Sequence, residues 1–282
     1  MRITTLIENH VADSKSNLVA EHGFSLHIEH EGRNILFDTG ASDAFAANAT
    51  KLDIDLGQVD VAVLSHHHFD HGGGLSAFFA VNNHAKVYLR HPPEGVPHFR
   101  AMGIINREIG LPEELLSLYR NRLNFIDQFT EVWPGAFLFT EIVHRHERPA
   151  GNRFIYLKKD SSYVHDLFAH ELVLALRVEE GLVIITGCSH NGALNMIQTV
   201  RERFPEEPIR AVVGGFHLIG LPIIDSLGGS KASIVDIGRT MREMPVDQFW
   251  TGHCTGKKAF KLLQGELGDR LAAINTGSRI TL

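Results

Sequence analysis

The sequence predicts an α/β or α+β fold in which two β-sheets are covered by helices. Three observations lead there. Short apolar runs alternate with helix-like segments along the whole chain. Several of those runs are almost solidly apolar, as strands covered on both faces are. The second half repeats the style of the first, with no short-period repeat and no low-complexity tract.

Phe24-Ser25-Leu26-His27-Ile28 alternates with period two and reads as a half-buried strand. Glu31-Gly32-Arg33-Asn34 is a turn, and Ile35-Leu36-Phe37 returns as the second arm of a hairpin ending at Asp38-Thr39-Gly40. Val59 to Leu64, apolar apart from Asp60, reads as a buried strand. Gly74 to Val81 reads as a helix and Lys86-Val87-Tyr88-Leu89 as a strand. From about 92 to 134 the texture changes. Leu111-Pro112-Glu113-Glu114 places proline and acids where a first helical turn favours them. That segment is therefore expected to be a mainly helical insertion within one domain, 1–282, and to form a wall over a site. Strands are expected at Ala136 to Val143, Phe154 to Leu157, Leu172 to Val178 and Leu182 to Thr186, the last two joined around Glu179-Glu180-Gly181. A helix from Ala193 to Phe204, a buried strand from Ile209 to Val213, a helix from Ser233 to Met244, a strand from Gln248 to Thr251, a helix from Ala259 to Leu267 and a closing strand complete the chain.

Composition excludes several classes. With 44% apolar and 21% charged residues the chain is neither disordered, collagen-like nor a coiled coil. Lys and Arg number 27 against 33 Asp and Glu, a net charge of −6, which argues against electrostatic binding to nucleic acid or anionic lipid. Two cysteines cannot form a disulfide scaffold and suit a reducing compartment. Glu8 interrupts any signal-like start, and no stretch reaches the roughly 20 apolar residues of a membrane span. The expectation is a cytoplasmic protein with a small-molecule substrate, without a nucleic-acid or membrane partner. Its oligomeric state is left open by the sequence.

The unusual feature is 18 histidines, the side chain suited both to metal ligation and to proton transfer near neutrality. The informative cluster is Ser65-His66-His67-His68-Phe69-Asp70-His71-Gly72-Gly73-Gly74, directly after the strand Val59 to Leu64. Residues two apart in extended chain point the same way, so His66 and His68 can converge on one ion. Asp70 and His71 follow in a turn and can face a second point nearby. Imidazole and carboxylate suit Zn²⁺ and similar ions, and the glycines let the backbone pass tightly.

His-x-His-x-Asp-His after a buried strand, preceded by Phe37-Asp38-Thr39-Gly40, resembles the metallo-β-lactamase superfamily. Gly187-Cys188-Ser189-His190 and Thr251-Gly252-His253-Cys254-Thr255-Gly256 resemble its later metal-binding motifs, so the resemblance spans essentially the whole chain. It implies an αββα four-layer sandwich with metals at one edge of the two sheets. Glu21-His22-Gly23-Phe24-Ser25 and Gly214-Gly215-Phe216-His217-Leu218, taken with those motifs, resemble one branch in particular. Its label is 7,8-dihydropterin-6-yl-methyl-4-(β-D-ribofuranosyl)aminobenzene 5′-phosphate synthase.

The resemblance implies that His66, His68 and His190 bind a first divalent metal, and Asp70, His71 and His253 a second. Water activated by the metals is then the nucleophile. Zinc is the expected metal, with Mn, Fe and Ni served by the same donors. Asp38 matches a buried acid that fixes the ligand loop. One departure stands out: Ala211 to His217 holds no acid where many two-metal members carry a bridging carboxylate. The second site is accordingly expected to be weaker. His217, the natural occupant of that position, is expected to meet substrate and, with Asp70, to act in catalysis, with metal ligation as its alternative. Gly187-Cys188-Ser189-His190-Asn191 only approximates a nucleophile elbow. Cys188 and Cys254 each adjoin an expected ligand and read first as small buried packing residues, with a thiolate ligand or nucleophile as the alternative; His22 is a residue of interest in the branch motif.

The activity expected is hydrolysis of a small metabolite, phosphorylated or pterin-like. The alternatives are a synthase-type transfer that releases pyrophosphate, and a non-catalytic protein that binds metal or metabolite.

Overall fold

The structure is a computed structural model describing residues 1–282. Its architecture follows from which face each strand residue buries. Along Val173–Val178, Leu174 and Leu176 point into one apolar cluster while Val173 and Ala175 point into another. A strand buried on both faces must lie between two other layers.

The cluster that receives Leu174 and Leu176 lies between two sheets. The first sheet contributes Ile3, Leu26, Ile28, Ile35, Phe37 and Val63; the second contributes Leu138, Val183, Ile185, Ala211 and Val213. The opposite face of the second sheet packs on the helices Ala193–Arg203, Lys231–Glu243 and Lys257–Leu267 through Ile197, Val200, Ile234, Met241 and Leu263. The opposite face of the first sheet packs on the helices Ala44–Lys51 and Leu75–Val81 through Phe45, Ala49, Phe78 and Phe79. The order helix, sheet, sheet, helix is the expected four-layer αββα sandwich. Full burial of each such side chain is worth about 1.5–3 kcal/mol, so the central layer carries much of the stability.

The first sheet runs Arg279–Thr281, Arg2–Ile7, Ser25–His30, Arg33–Phe37, Val61–Val63, Lys86–Leu89, Leu123–Phe125. The second runs Leu271–Ala273, Val246–Thr251, Ile209–Gly214, Gly181–Ile185, Val173–Val178, Ala136–Phe139, Thr130–Trp133. In each, the central strands are parallel: Phe37 pairs with Val63, Ile185 with Val213 and Gly214 with Thr251. Parallel strands deliver their carboxyl ends to the same edge. The residues that follow those ends are Asp38, the His66 loop, Cys188 to His190, His217 and His253. Leu172 N–H donates to the Ser65 carbonyl, 2.9 Å, and ties the two sheets together at that edge.

The expected helical insertion is corrected. Between 92 and 134 the chain forms the strands Val96–Ala101, Ile105–Glu108, Leu123–Phe125 and Thr130–Trp133, with one short helix, Glu113–Leu118. The Pro112-Glu113-Glu114 signal is real but lasts under two turns. The hairpin 96–108 is held by Ile155–Lys159, which pairs with Val96–Phe99 from about fifty residues downstream. With Ser162–His165 these strands make a third, four-stranded sheet, order Ser162–His165, Ile155–Lys159, Val96–Ala101, Ile105–Glu108. The strands at 123–125 and 130–133 are edges of the two main sheets, so the inserted part is shorter than expected. It does wall the ligand loop: Phe69 N–H donates to the Ile109 carbonyl, 2.9 Å. No helix is long and apolar enough to cross a membrane.

Candidate metal centre

The ligand loop leaves the strand Val61–Val63 extended and enters a four-residue helix, Phe69–Gly72, instead of the simple turn expected around Asp70 and His71. Glycine is required behind it. A Cβ on Gly73 would stand 2.3 Å from the Ala41 carbonyl, and one on Gly74 2.3 Å from the Thr39 carbonyl. The return loop 39–41 therefore packs directly on the loop backbone.

All the residues expected to ligate come together and are buried: His66, His68, Asp70, His71, His190 and His253 are each 7% exposed or less. His66 Nε2 faces His68 Nδ1 at 3.0 Å, and His66, His68 and His190 present three ligand atoms within 4.8 Å of one another. His71 Nε2 lies 3.2 Å from His253 Nε2, His253 Nε2 lies 3.3 Å from Asp70 Oδ2, and His71 Nε2 lies 3.9 Å from Asp70 Oδ2. His22 Nε2 joins this second group at 3.2 Å from Asp70 Oδ2. Its ring stacks on His253.

The outward nitrogen of four rings is held by an oxygen. His71 Nδ1 meets Asp38 Oδ2 at 2.6 Å, His66 Nδ1 meets Ser65 Oγ at 2.9 Å, His190 Nδ1 meets Asn152 Oδ1 at 3.0 Å and His253 Nδ1 meets Asn9 Oδ1 at 3.1 Å. Such partners set the tautomer and leave Nε2 with its lone pair toward the centre. His190 Nε2, the inward nitrogen of its ring, is buried with no partner at all. A buried orphan nitrogen is costly unless something binds it. A divalent cation fits this donor set.

The electrostatics agree. Burial pushes His68 to about 3 and His253 to about 4, and pushes His66 and His190 well below the ordinary value. All four are then neutral near pH 7, as ligation requires. Burial alone would raise the Asp70 carboxyl, but His71, His22 and His253 outweigh it and hold Asp70 well below the usual range. At His71 burial is outweighed by Asp38 first, then by Asp70 and Glu171, and that ring is held up, unlike the other four.

Strain collects here. Asp38, Ser189, His217 and His253 all have positive φ, between 47° and 59°, which non-glycine residues seldom adopt. His217 is buried with neither ring nitrogen partnered, and its ring centroid lies 4.1 Å from that of His190. Gly151 makes its room, because a Cβ there would be 3.2 Å from His217 Nε2. Ser189 Oγ donates to the Gly215 carbonyl at 2.6 Å and is fully buried, so it is no exposed nucleophile. Residues 19–192 match the family described as the metallo-beta-lactamase superfamily.

The chain belongs to the metallo-β-lactamase superfamily.

Among its relatives, the chain is 29% identical to 7,8-dihydropterin-6-methyl-4-(beta-D-ribofuranosyl)-aminobenzene-5'-phosphate synthase of Methanocaldococcus jannaschii, over 99% of this chain and 96% of that one. An uncharacterized protein of the same organism is 28% identical over 86% of this chain and 88% of its own. A solved metal-dependent hydrolase of the beta-lactamase superfamily superposes with TM-score 0.82 at 32% identity, covering 100% of this chain and 99% of the other.

Sequence reasoning missed several members of this superfamily site. Glu171, buried, accepts from His190 N–H at 2.7 Å and Asn191 N–H at 2.8 Å. Glu8, also buried, accepts from His253 N–H at 2.5 Å and His10 N–H at 2.7 Å. Each glutamate clamps the loop that carries a late histidine. The available signal was an acid abutting an apolar strand, at Ile7-Glu8 and Glu171-Leu172. Asn9 and Asn152 gave no signal, because their histidine partners lie 244 and 38 residues away.

Proposed function

We propose that the chain is a metal-dependent hydrolase acting on a small metabolite, phosphorylated or pterin-like, and that His66, His68, His190, Asp70, His71 and His253 hold one or two divalent ions, zinc foremost. The observation that carries this reading is the pair of adjoining ligand groups at one buried edge, with nitrogens that have no protein partner. Bound divalent ions supply a hydroxide nucleophile from water near neutral pH and withdraw charge from a substrate oxygen.

The chain's own residues do the rest. Asp38 keeps the His71 proton on Nδ1, and Asn9 and Asn152 do the same for His253 and His190. Asp70, held ionised, accepts hydrogen bonds and so orients a water proton at Oδ2; a carboxylate kept this acidic is a poor base at pH 7. His217, pushed to about 3 by burial, stays neutral and offers an N–H to a developing oxyanion beside His190.

Elemental analysis of His66→Ala and His190→Ala proteins tests the centre: metal content should fall sharply, and full retention in both would overturn it. Metal-dependent turnover of a generic phosphodiester or ester tests hydrolysis. One observation favours a second reading, transfer with loss of pyrophosphate: the synthase of Methanocaldococcus jannaschii aligns with nearly the whole chain. Pyrophosphate release that needs an aminobenzene ribotide acceptor, with no incorporation of solvent oxygen, would select it over hydrolysis.

A further inference from the structure

The buried thiol of Cys188 has no place in the ligand set described so far, yet it stands among both groups. Its Sγ lies 3.1 Å from His71 Nε2. It falls within 4.8 Å of ligand atoms of His66 and His71, of His190 and His217, and of His253 and Cys254. Cys188 therefore reaches His66 and His190 of the first group and His71 and His253 of the second. The strand end where a bridging acid would stand carries only Gly214-Gly215-Phe216-His217. The place between the groups is filled instead from the neighbouring strand, by Cys188 after Gly187.

Three details separate ligation from simple packing. His190 Nε2 and both His217 nitrogens, buried beside the thiol, lack partners. Sulfur at 3.1 Å from an imidazole nitrogen whose proton is held on the far side, by Asp38, presents two donors to one point. Cys254, the other cysteine, differs: its thiol donates to the Cys188 carbonyl at 3.5 Å and packs against Gly215, where a Cβ would stand 2.5 Å from Sγ.

We propose that Cys188 Sγ is a metal ligand shared between the two groups, in the role a bridging carboxylate has elsewhere. On loading, the thiol proton leaves to solvent and the thiolate binds. This rests on the metal-centre reading above but is separable from it.

The test is spectroscopic and needs no substrate. Protein loaded with Co²⁺ should show a near-ultraviolet thiolate-to-cobalt charge-transfer band. Cys254→Ser should keep the band and Cys188→Ser should lose it, with affinity for the second metal equivalent lowered at least about tenfold. X-ray absorption of the unmodified zinc-loaded protein supports the same conclusion if it shows sulfur near the ordinary Zn–S distance of about 2.3 Å, and it avoids reliance on a variant that fails to fold. Loaded wild-type protein with no thiolate band and no sulfur scatterer would overturn Cys188 ligation while leaving the histidine centre standing. A band that persists in Cys188→Ser and vanishes in Cys254→Ser would overturn it as well. Failure to bind Co²⁺ at all would instead count against the metal centre.

Discussion

Asp38 Oδ2 lies 2.6 Å from His71 Nδ1, with both side chains fully buried, and joins the end of one strand to the loop that leaves the next. The same carboxylate accepts from Ser65 N–H and Ser65 Oγ, each at 2.7 Å. Asp38→Ala strands three buried donors and should cost about 3 kcal/mol of stability. Asp38→Asn keeps the shape but offers an amide to the His71 nitrogen, which favours the wrong tautomer. Its expected outcome is a folded protein with metal affinity lowered about 10–100-fold, measured by competition with a chromophoric chelator. Unchanged affinity in Asp38→Asn would refute the tautomer role.

His217→Ala should leave metal content and melting temperature nearly unchanged and lower kcat about a hundredfold, as removal of one oxyanion donor does. The ring makes no hydrogen bond that holds the fold, so its loss should appear in turnover. Should metal content fall in step with activity, His217 would be a ligand and its assignment to substrate would be wrong.

Gly187 packs against the hydroxyl that links Asp38 to His66. A Cβ there would stand 2.2 Å from Ser65 Oγ. Gly187→Ala should therefore displace Ser65, cost about 1–3 kcal/mol and weaken metal binding. Calorimetry and metal titration of the variant check both effects; wild-type values in each would show that the contact yields freely.

Acid should destabilise the fold through histidines far from the centre. His27 is buried on the strand Ser25–His30 with Nδ1 unpartnered, and burial lowers its pKa; His30 behaves alike. The unfolded chain protonates them first as pH falls through about 6.5. Stability is thus complete above that value and declines below it, by at most about 1.4 kcal/mol per pH unit for each ring. His27→Leu should flatten the fall in the urea midpoint between pH 7 and pH 5. Parallel curves for wild type and variant would exclude His27 as a source.

The metal loop was legible in the sequence because it is local. His66, His68, Asp70 and His71 follow one buried strand, and extended geometry with tight glycines carries them to one place whatever lies around. The later histidines were legible only as motifs at strand ends. Two sheets covered by helices were legible from the alternation of strands and helices, and the αββα order followed from the motifs' resemblance to the superfamily.

Tertiary structure alone decided the rest. The hairpin 96–108 became sheet because Ile155–Lys159 pairs with it, and no local periodicity announces a partner that distant. Asn9 and Asn152 acquired their roles, and Glu8 and Glu171 their carboxylate clamps, only when parallel strands brought separate carboxyl ends to one edge. Cys188 reads first as a small packing residue in the chain, with ligation only an alternative, and the fold sets its sulfur among both groups. A ligand atom is defined by what converges on it, and convergence is a property of three dimensions.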